Sequence, residues 1–306
     1  MPDISIQLGK LTLKNPVIAA SGPWGYGLEY AEICPPEKLG AFISKGLSLK
    51  SRKGNPPPRI CETPCGMLNA IGLQNIGVEV FLQRKLPLLA ERGTTVIANF
   101  FGSSVEEYAK VAEMLGSAKD ISALEVNISC PNVRGREGKF FGSTPERAFE
   151  ITQVCRKATD KFLIIKLTPE TRDITEIAKA VESAGADAIT LINTFPAMSI
   201  DIRTRKPKLG NITGGLSGPA IKPIVVRMIW ETAKVVRIPI LGSGGVMTEE
   251  DAIEMIVAGA HAVQVGTVIF HDPSAPLKII EGIKKFMRGE GISSLNELRG
   301  SVIMDK

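Results

Sequence analysis

The sequence predicts a (β/α)8 barrel, and three observations carry that prediction. Eight short apolar runs recur along the 306 residues, most of the intervening segments carry helix signals, and polar residues collect where the runs end. The runs are Val17–Ala20, Ala41–Ser44, Thr95–Phe100, Leu124–Ile128, Phe162–Leu167, Ala188–Ile192, Ile238–Gly242 and Ala262–Val265. They are continuous rather than alternating, as strands buried on both faces must be. Before helices, Ser104-Val105-Glu106-Glu107 and Thr248-Glu249-Glu250-Asp251 place a hydroxyl cap ahead of first-turn acids. Thr144-Pro145-Glu146 adds proline at the first helical position. Ala184-Gly185-Ala186 and Ala258-Gly259-Ala260 close helices with glycine just before the next run. A doubly wound sheet competes with the barrel, but no G-x-G-x-x-G follows the first strand.

Three segments lie outside the repeat. An N-terminal hairpin, Ile4–Leu8 with Leu11–Leu13, is placed to close the barrel bottom. Residues 49–76 and 195–218 are long Gly/Pro-rich insertions after the second and sixth strands, which puts both at the C-terminal mouth, where barrel active sites lie. Nothing reads as a linker, so residues 1–306 are expected to form a single domain.

Composition narrows the function. Hydrophobic residues make up 44% and charged residues 23%, ordinary for a globular protein. No apolar stretch approaches the roughly 20 residues of a membrane helix, and Met1-Pro2-Asp3-Ile4 lacks a signal-peptide layout, so a cytoplasmic protein without membrane attachment is expected. The net charge of +5 suits an anionic ligand or acidic partner and is too diffuse for nucleic acid. The basic stretch Arg203–Lys208 reads as a solvated loop tip. Five scattered cysteines, Cys34, Cys61, Cys65, Cys130 and Cys155, imply free thiols. Cys61 and Cys65 form a lone C-x3-C pair without further ligands; no metal site is expected, no chemical role is assigned to them, and packing is the expectation. His261 and His271 read as structural.

The strand ends carry the chemistry. Gly242-Ser243-Gly244-Gly245 and Gly266-Thr267 stand where barrels bind a phosphate on backbone N–H groups. Lys166 interrupts the run Phe162-Leu163-Ile164-Ile165, and a buried ammonium needs an anion or electron-rich group. It is placed either to form a Schiff base, as in class I aldolases, or to stabilise a negatively charged cofactor. Asn69, Asn99, Asn127, Asn132 and Asn193 supply neutral amides that suit a planar ligand rich in C=O and N–H edges, such as a pyrimidine or flavin.

With those residues in place, the chain resembles the class 1 dihydroorotate dehydrogenases, and among them the B-type catalytic subunits. The motifs are "NPVIAASGPWGYGLEY" (15–30), "ISKGLSLKSRKGNPPPRI" (43–60), "GMLNAIGLQNIGV" (66–78), "EVNISCPNV" (125–133), "IIKLTP" (164–169), "LINT" (191–194), "GGLSGPAIKP" (214–223), "ILGSGGV" (240–246) and "VQVGT" (263–267). The resemblance implies an FMN-dependent oxidation of (S)-dihydroorotate to orotate in pyrimidine (UMP) biosynthesis. It implies one FMN per chain, held by Ala20, Ser21, Lys45, Gly46, Asn99, Asn127, Lys166, Ile192, Gly218, Gly244, Gly245, Gly266 and Thr267. The substrate site it implies comprises Lys45, Asn69, Ala70, Ile71, Gly72, Leu73, Asn127, Asn132, Asn193 and Thr194. Cys130 falls on the catalytic base that takes the C5 proton while FMN takes the C6 hydride, and Lys166 is the second residue implied in catalysis, set against the flavin.

A B-type subunit further implies a homodimer joined by an electron-transfer subunit that carries FAD and a [2Fe–2S] cluster. The resulting heterotetramer delivers electrons to NAD. A fumarate-linked A-type enzyme and a dihydropyrimidine dehydrogenase-like enzyme share "SCPN" or the catalytic cysteine, and remain the alternatives within flavoenzymes. The stretch Arg134-Gly135-Arg136-Glu137 departs from the pattern expected after Asn132, and Gly135, Gly138 and Gly142 suit a lid over the mouth.

Overall fold

The computed structural model describes residues 2–129 and 141–304. Eight parallel strands close into a barrel: β1 (Val17–Ala19), β2 (Ala41–Ile43), β3 (Val96–Phe100), β4 (Ala123–Asn127), β5 (Phe162–Lys166), β6 (Ala188–Leu191), β7 (Ile240–Ser243) and β8 (Ala262–Val265). Each strand pairs with its neighbours in sequence, and β8 closes on β1. Apolar residues of these strands are buried, which is why their runs do not alternate. The fold class expected from the sequence is the one observed, with boundaries moved by one or two residues, most at β7.

Helices α1 (Pro145–Ala158), α2 (Ile174–Ser183), α3 (Lys222–Ala233), α4 (Glu249–Ala258) and α5 (Ala275–Gly289) follow β4 to β8, and Val105–Gly116 follows β3. The expected caps form: Ser104 Oγ accepts from Glu107 N, Thr144 Oγ1 from Arg147 N, and Thr248 with Asp251 makes a reciprocal capping box. The β2–β3 connection ends in a helical stretch, residues 78–91, whose middle, Phe81–Lys85, is π-wound. Only turns and a short 3-10 helix (Pro36–Lys38) join β1 to β2.

The N-terminal hairpin, Ile6–Leu8 with Leu11–Leu13, packs at the foot of the barrel, where Gly9 abuts the Phe162 ring that opens β5. The two insertions meet above the opposite end. Ile60–Thr63, Gly66–Asn69, Thr213–Ser217 and Phe195–Met198 make one antiparallel four-stranded sheet in which the strand from 213–217 pairs with that from 66–69. Cys61 packs beside Leu68, Ala70 and Leu209 beneath this sheet, whereas Cys65 is exposed at the Thr63–Gly66 turn. The packing role expected of both thiols holds for Cys61 alone, because the turn carries its neighbour out of the sheet. Arg203–Lys208 is an exposed tip, as expected. His261 is mostly buried at the start of β8, its Nδ1 accepting from Ile240 N, and burial lowers its pKa to about 4.

No described helix is long and apolar enough to cross a membrane.

Candidate active site

Every site residue expected from the sequence that lies among the described residues lines one cleft of about 760 Å³ at the C-terminal mouth. That volume is at the upper end for a small-molecule site. Cys130 and Asn132, and the stretch following them to residue 140, lie outside the described residues.

One end of the cleft is built from backbone. Gly218 (φ +101°), Gly244 (φ +134°) and Gly245 (φ +86°) adopt conformations that favour glycine. A Cβ on Gly245 would stand 2.6 Å from Lys222 Cβ and 3.0 Å from Gly218 O. The Thr267 hydroxyl donates to Ser217 Oγ at 2.9 Å beside these turns. The result is a concave polar cradle at the ends of β7 and β8.

The barrel floor is charged. Lys166 is 6% exposed, and the anion that its burial demands is Glu125, fully buried on β4 with Oε1 3.8 Å from Lys166 Nζ. Glu125 accepts from Asn99 Nδ2 at 2.7 Å, Thr190 Oγ1 at 2.7 Å and Gln264 Nε2 at 2.6 Å. The sequence reading passed over Glu125, Thr190 and Gln264. A carboxylate inside an apolar strand was the signal available, of the same kind that singled out Lys166. Asn99 gives its amide N–H to Glu125, which turns Oδ1 away; that buried oxygen finds no hydrogen bond among the described residues and faces Gly46. It demands a donor.

The substrate-side amides are also oriented. Ser129 Oγ donates to Asn127 Oδ1 at 2.5 Å and accepts from Asn193 Nδ2 at 2.6 Å, while Asn193 Oδ1 accepts from Thr194 N at 2.8 Å. With Asn127 Oδ1 also taken by Ser129 N, its Nδ2 is left to face the cleft as a donor. Tyr108 fixes the same strand end by donating to Asn127 O at 2.8 Å. Ser129 is a further residue not singled out from the sequence, although it stands in the quoted motif.

The loop Asn69–Leu73 is pinned from beneath. Asn55 donates from Nδ2 to Ala70 O at 3.0 Å and from its backbone to Ile71 O at 3.1 Å, and Arg59 Nε donates to Asn55 O at 2.5 Å. Gly72 (φ +73°) passes so close to Asn55 that a Cβ would meet its side chain at 2.5 Å. Lys45, half-buried at the rim, has its pKa lowered by burial and then by the Arg59 charge. Its ammonium lacks a described counter-ion as close as Glu125 is to Lys166, and so suits an anionic ligand.

Two buried thiols contrast with the cleft. Burial pushes Cys34 up to about 12 and raises Cys155 as well, so neither supplies a thiolate near neutral pH. Among the described residues no group of three or more His, Cys, Asp or Glu is arranged to hold a metal ion.

Comparison with known proteins decides what this cleft belongs to. The family model described as dihydroorotate dehydrogenase matches residues 4–287. The chain belongs to the dihydroorotate dehydrogenase family. It is 52% identical over 301 residues to a protein of Trichlorobacter lovleyi, covering 98% of this chain and 99% of that one. It is 51% identical over 301 residues to one of Pelobacter propionicus, with the same coverage. With one of Thermodesulfovibrio yellowstonii the identity is 50% over 301 residues, 98% of this chain and 99% of that one. All three relatives are named dihydroorotate dehydrogenase B (NAD(+)), catalytic subunit. As a dihydroorotate dehydrogenase, the chain carries its cleft at the C-terminal mouth of the barrel.

Proposed function

We propose that this dihydroorotate dehydrogenase oxidises (S)-dihydroorotate to orotate on a bound FMN, as the catalytic subunit of an NAD-linked enzyme of pyrimidine biosynthesis. The observation that carries the cofactor reading is the buried Oδ1 of Asn99, which has no hydrogen-bond partner among the described residues. A flavin ring edge carries one N–H among its carbonyl groups, and so meets a lone acceptor beside a lysine. The glycine cradle at Gly218, Gly244 and Gly245, with Thr267 and Ser217 hydroxyls beside it, fits the phosphate end. The residues present therefore fit FMN. Ala20, Ser21, Lys45, Gly46, Asn127, Ile192 and Gly266 complete its proposed surroundings, with one FMN held by a single domain spanning residues 1–306.

When bound, FMN supplies a two-electron acceptor for the hydride leaving C6 of the substrate. The rest of the reaction falls to the chain. Lys45 holds the substrate carboxylate by charge; Asn69, Asn127, Asn132, Asn193 and Thr194 hold the amide edges of its ring, and the Ala70–Leu73 loop covers it. Ser129 keeps Asn127 and Asn193 facing the cleft. Cys130, joined directly to Ser129, removes the proton from C5, a step in which the thiolate is the competent form. Lys166 holds positive charge at the floor, where electron density accumulates during the transfer. A Schiff-base role suits this lysine less, since its ammonium is shared between Glu125 and Gln264.

For the onward electrons, the name "catalytic subunit" carried by the relatives supports a separate partner. We assign to it FAD and a [2Fe–2S] cluster, delivering to NAD, with two copies of each subunit in the assembly. The alternatives with fumarate as acceptor or dihydrouracil as substrate are less well supported, since these relatives at 50–52% identity carry the NAD-linked name.

The test is pre-steady-state. Cys130→Ser should bind FMN normally and slow flavin reduction by dihydroorotate by orders of magnitude at neutral pH; reduction at the wild-type rate would remove Cys130 from the role of base.

A further inference from the structure

Alternate strands of a (β/α)8 barrel contribute side chains to successive layers. Here β3, β5 and β7 supply Asn99, Lys166 and Ser243 to the cleft floor, and β4 and β6 supply Glu125 and Thr190 behind it, joined by Gln264 of β8, which reaches the cleft. Strand register joins the two, with Asn99 beside Glu125 and Thr190 beside Lys166. Such layers are ordinarily branched and apolar, so a fully buried carboxylate there requires a reason.

The hydrogen bonds give one. Oε1 of Glu125 takes Asn99 Nδ2 at 2.7 Å and faces Lys166 Nζ at 3.8 Å; Oε2 takes Thr190 Oγ1 at 2.7 Å and Gln264 Nε2 at 2.6 Å. Because Gln264 spends its N–H on Glu125, its Oε1 must turn to Lys166, 3.5 Å away. Because Asn99 spends its N–H on the same carboxylate, its Oδ1 is turned to the other side, towards Gly46 at the edge of the cleft. One anion that does not itself line the cleft thereby sets the sense of two amides and the direction of one ammonium that do.

We infer that Glu125 is the positioning residue of the cofactor site, fixing which face Asn99, Gln264 and Lys166 present and offsetting the Lys166 charge felt by the bound flavin. The inference rests on the FMN reading above. In Glu125→Gln an NH2 group replaces one carboxylate oxygen, so the side chain cannot receive both from Asn99 at one oxygen and from Gln264 at the other, and it leaves Lys166 without a counter-charge. Removing only the Thr190 hydroxyl does the reverse, leaving the carboxylate charge less offset.

The experiment measures the reduced-to-oxidised ratio of bound FMN against a reference dye at pH 7 in wild type, Glu125→Gln and Thr190→Val, without substrate. Glu125→Gln should raise the ratio at least tenfold, about 30 mV for a two-electron couple. Thr190→Val, from outside the cleft, should lower it about threefold. A purely structural role moves thermal stability in both variants without opposite shifts in the ratio. A ratio that stays level or falls in a loaded Glu125→Gln variant overturns the inference. If that variant holds no FMN, Thr190→Val decides alone, and an unmoved ratio there overturns it. A wild type that takes up no FMN overturns the cofactor reading and this inference together, which sets that failure apart from the others.

Discussion

Ser129 Oγ lies 2.6 Å from Asn193 Nδ2 and 2.5 Å from Asn127 Oδ1, so one hydroxyl aligns two amides that belong to different strand ends. Ser129→Ala should leave both amides free to turn. A hydrogen bond of this kind contributes about 1 kcal/mol, and its loss should raise KM for dihydroorotate about fivefold to tenfold with little change in kcat. Steady-state kinetics check this. A fall in kcat at unchanged KM would place Ser129 in the chemistry rather than in orientation.

Lys166→Met removes the cation beside a fully buried carboxylate. Breaking a buried pair by deleting one partner costs about 3–5 kcal/mol, and the three remaining donors to Glu125 put the expected loss at the lower end. Urea denaturation of the flavin-free protein should show it, and FMN titration should show weaker binding as well.

Gly245→Ala tests the cradle. Its φ of +86° and the 2.6 Å approach to Lys222 Cβ leave no room for a methyl group without moving the turn. FMN affinity should fall by at least tenfold, whereas riboflavin, which lacks the phosphate, should bind the variant and the wild type alike. Equal losses for both ligands would mean that the turn does not meet the phosphate.

His261 predicts a pH dependence of stability. Its pKa falls from an ordinary 6.5 to about 4 on folding because burial disfavours the charged ring. The unfolded chain therefore binds the extra proton between these values. The resulting stability is complete above pH 6.5 and is lost as the pH falls towards 4, by up to about 3 kcal/mol. In His261→Asn, where an amide oxygen replaces Nδ1 as acceptor for Ile240 N, the difference between urea unfolding at pH 7 and pH 5 should shrink.

These residues also mark how far the sequence could be read. The barrel was legible because two-sided burial writes each strand as an unbroken apolar run. Gly244, Gly245 and Lys166 stood out because they sit at strand ends or interrupt such a run. Glu125 interrupts one too, but its meaning depends on Thr190 and Gln264, which lie 65 and 139 residues further along the chain. Only barrel closure brings them together. The sheet over the mouth hides for the same reason: Asn69 meets Gly215 across 146 residues. Cys65 was misread because a turn, unlike a strand, gives no periodicity from which to infer its exposure.

The central claim is that this cleft passes electrons from dihydroorotate to a flavin. Anaerobic addition of (S)-dihydroorotate to FMN-loaded protein, followed in the visible absorption bands, tests it most directly. Dihydroorotate should bleach the flavin stoichiometrically, and dihydrouracil should leave it oxidised. A flavin that stays oxidised with dihydroorotate, or bleaches equally with dihydrouracil, would contradict it.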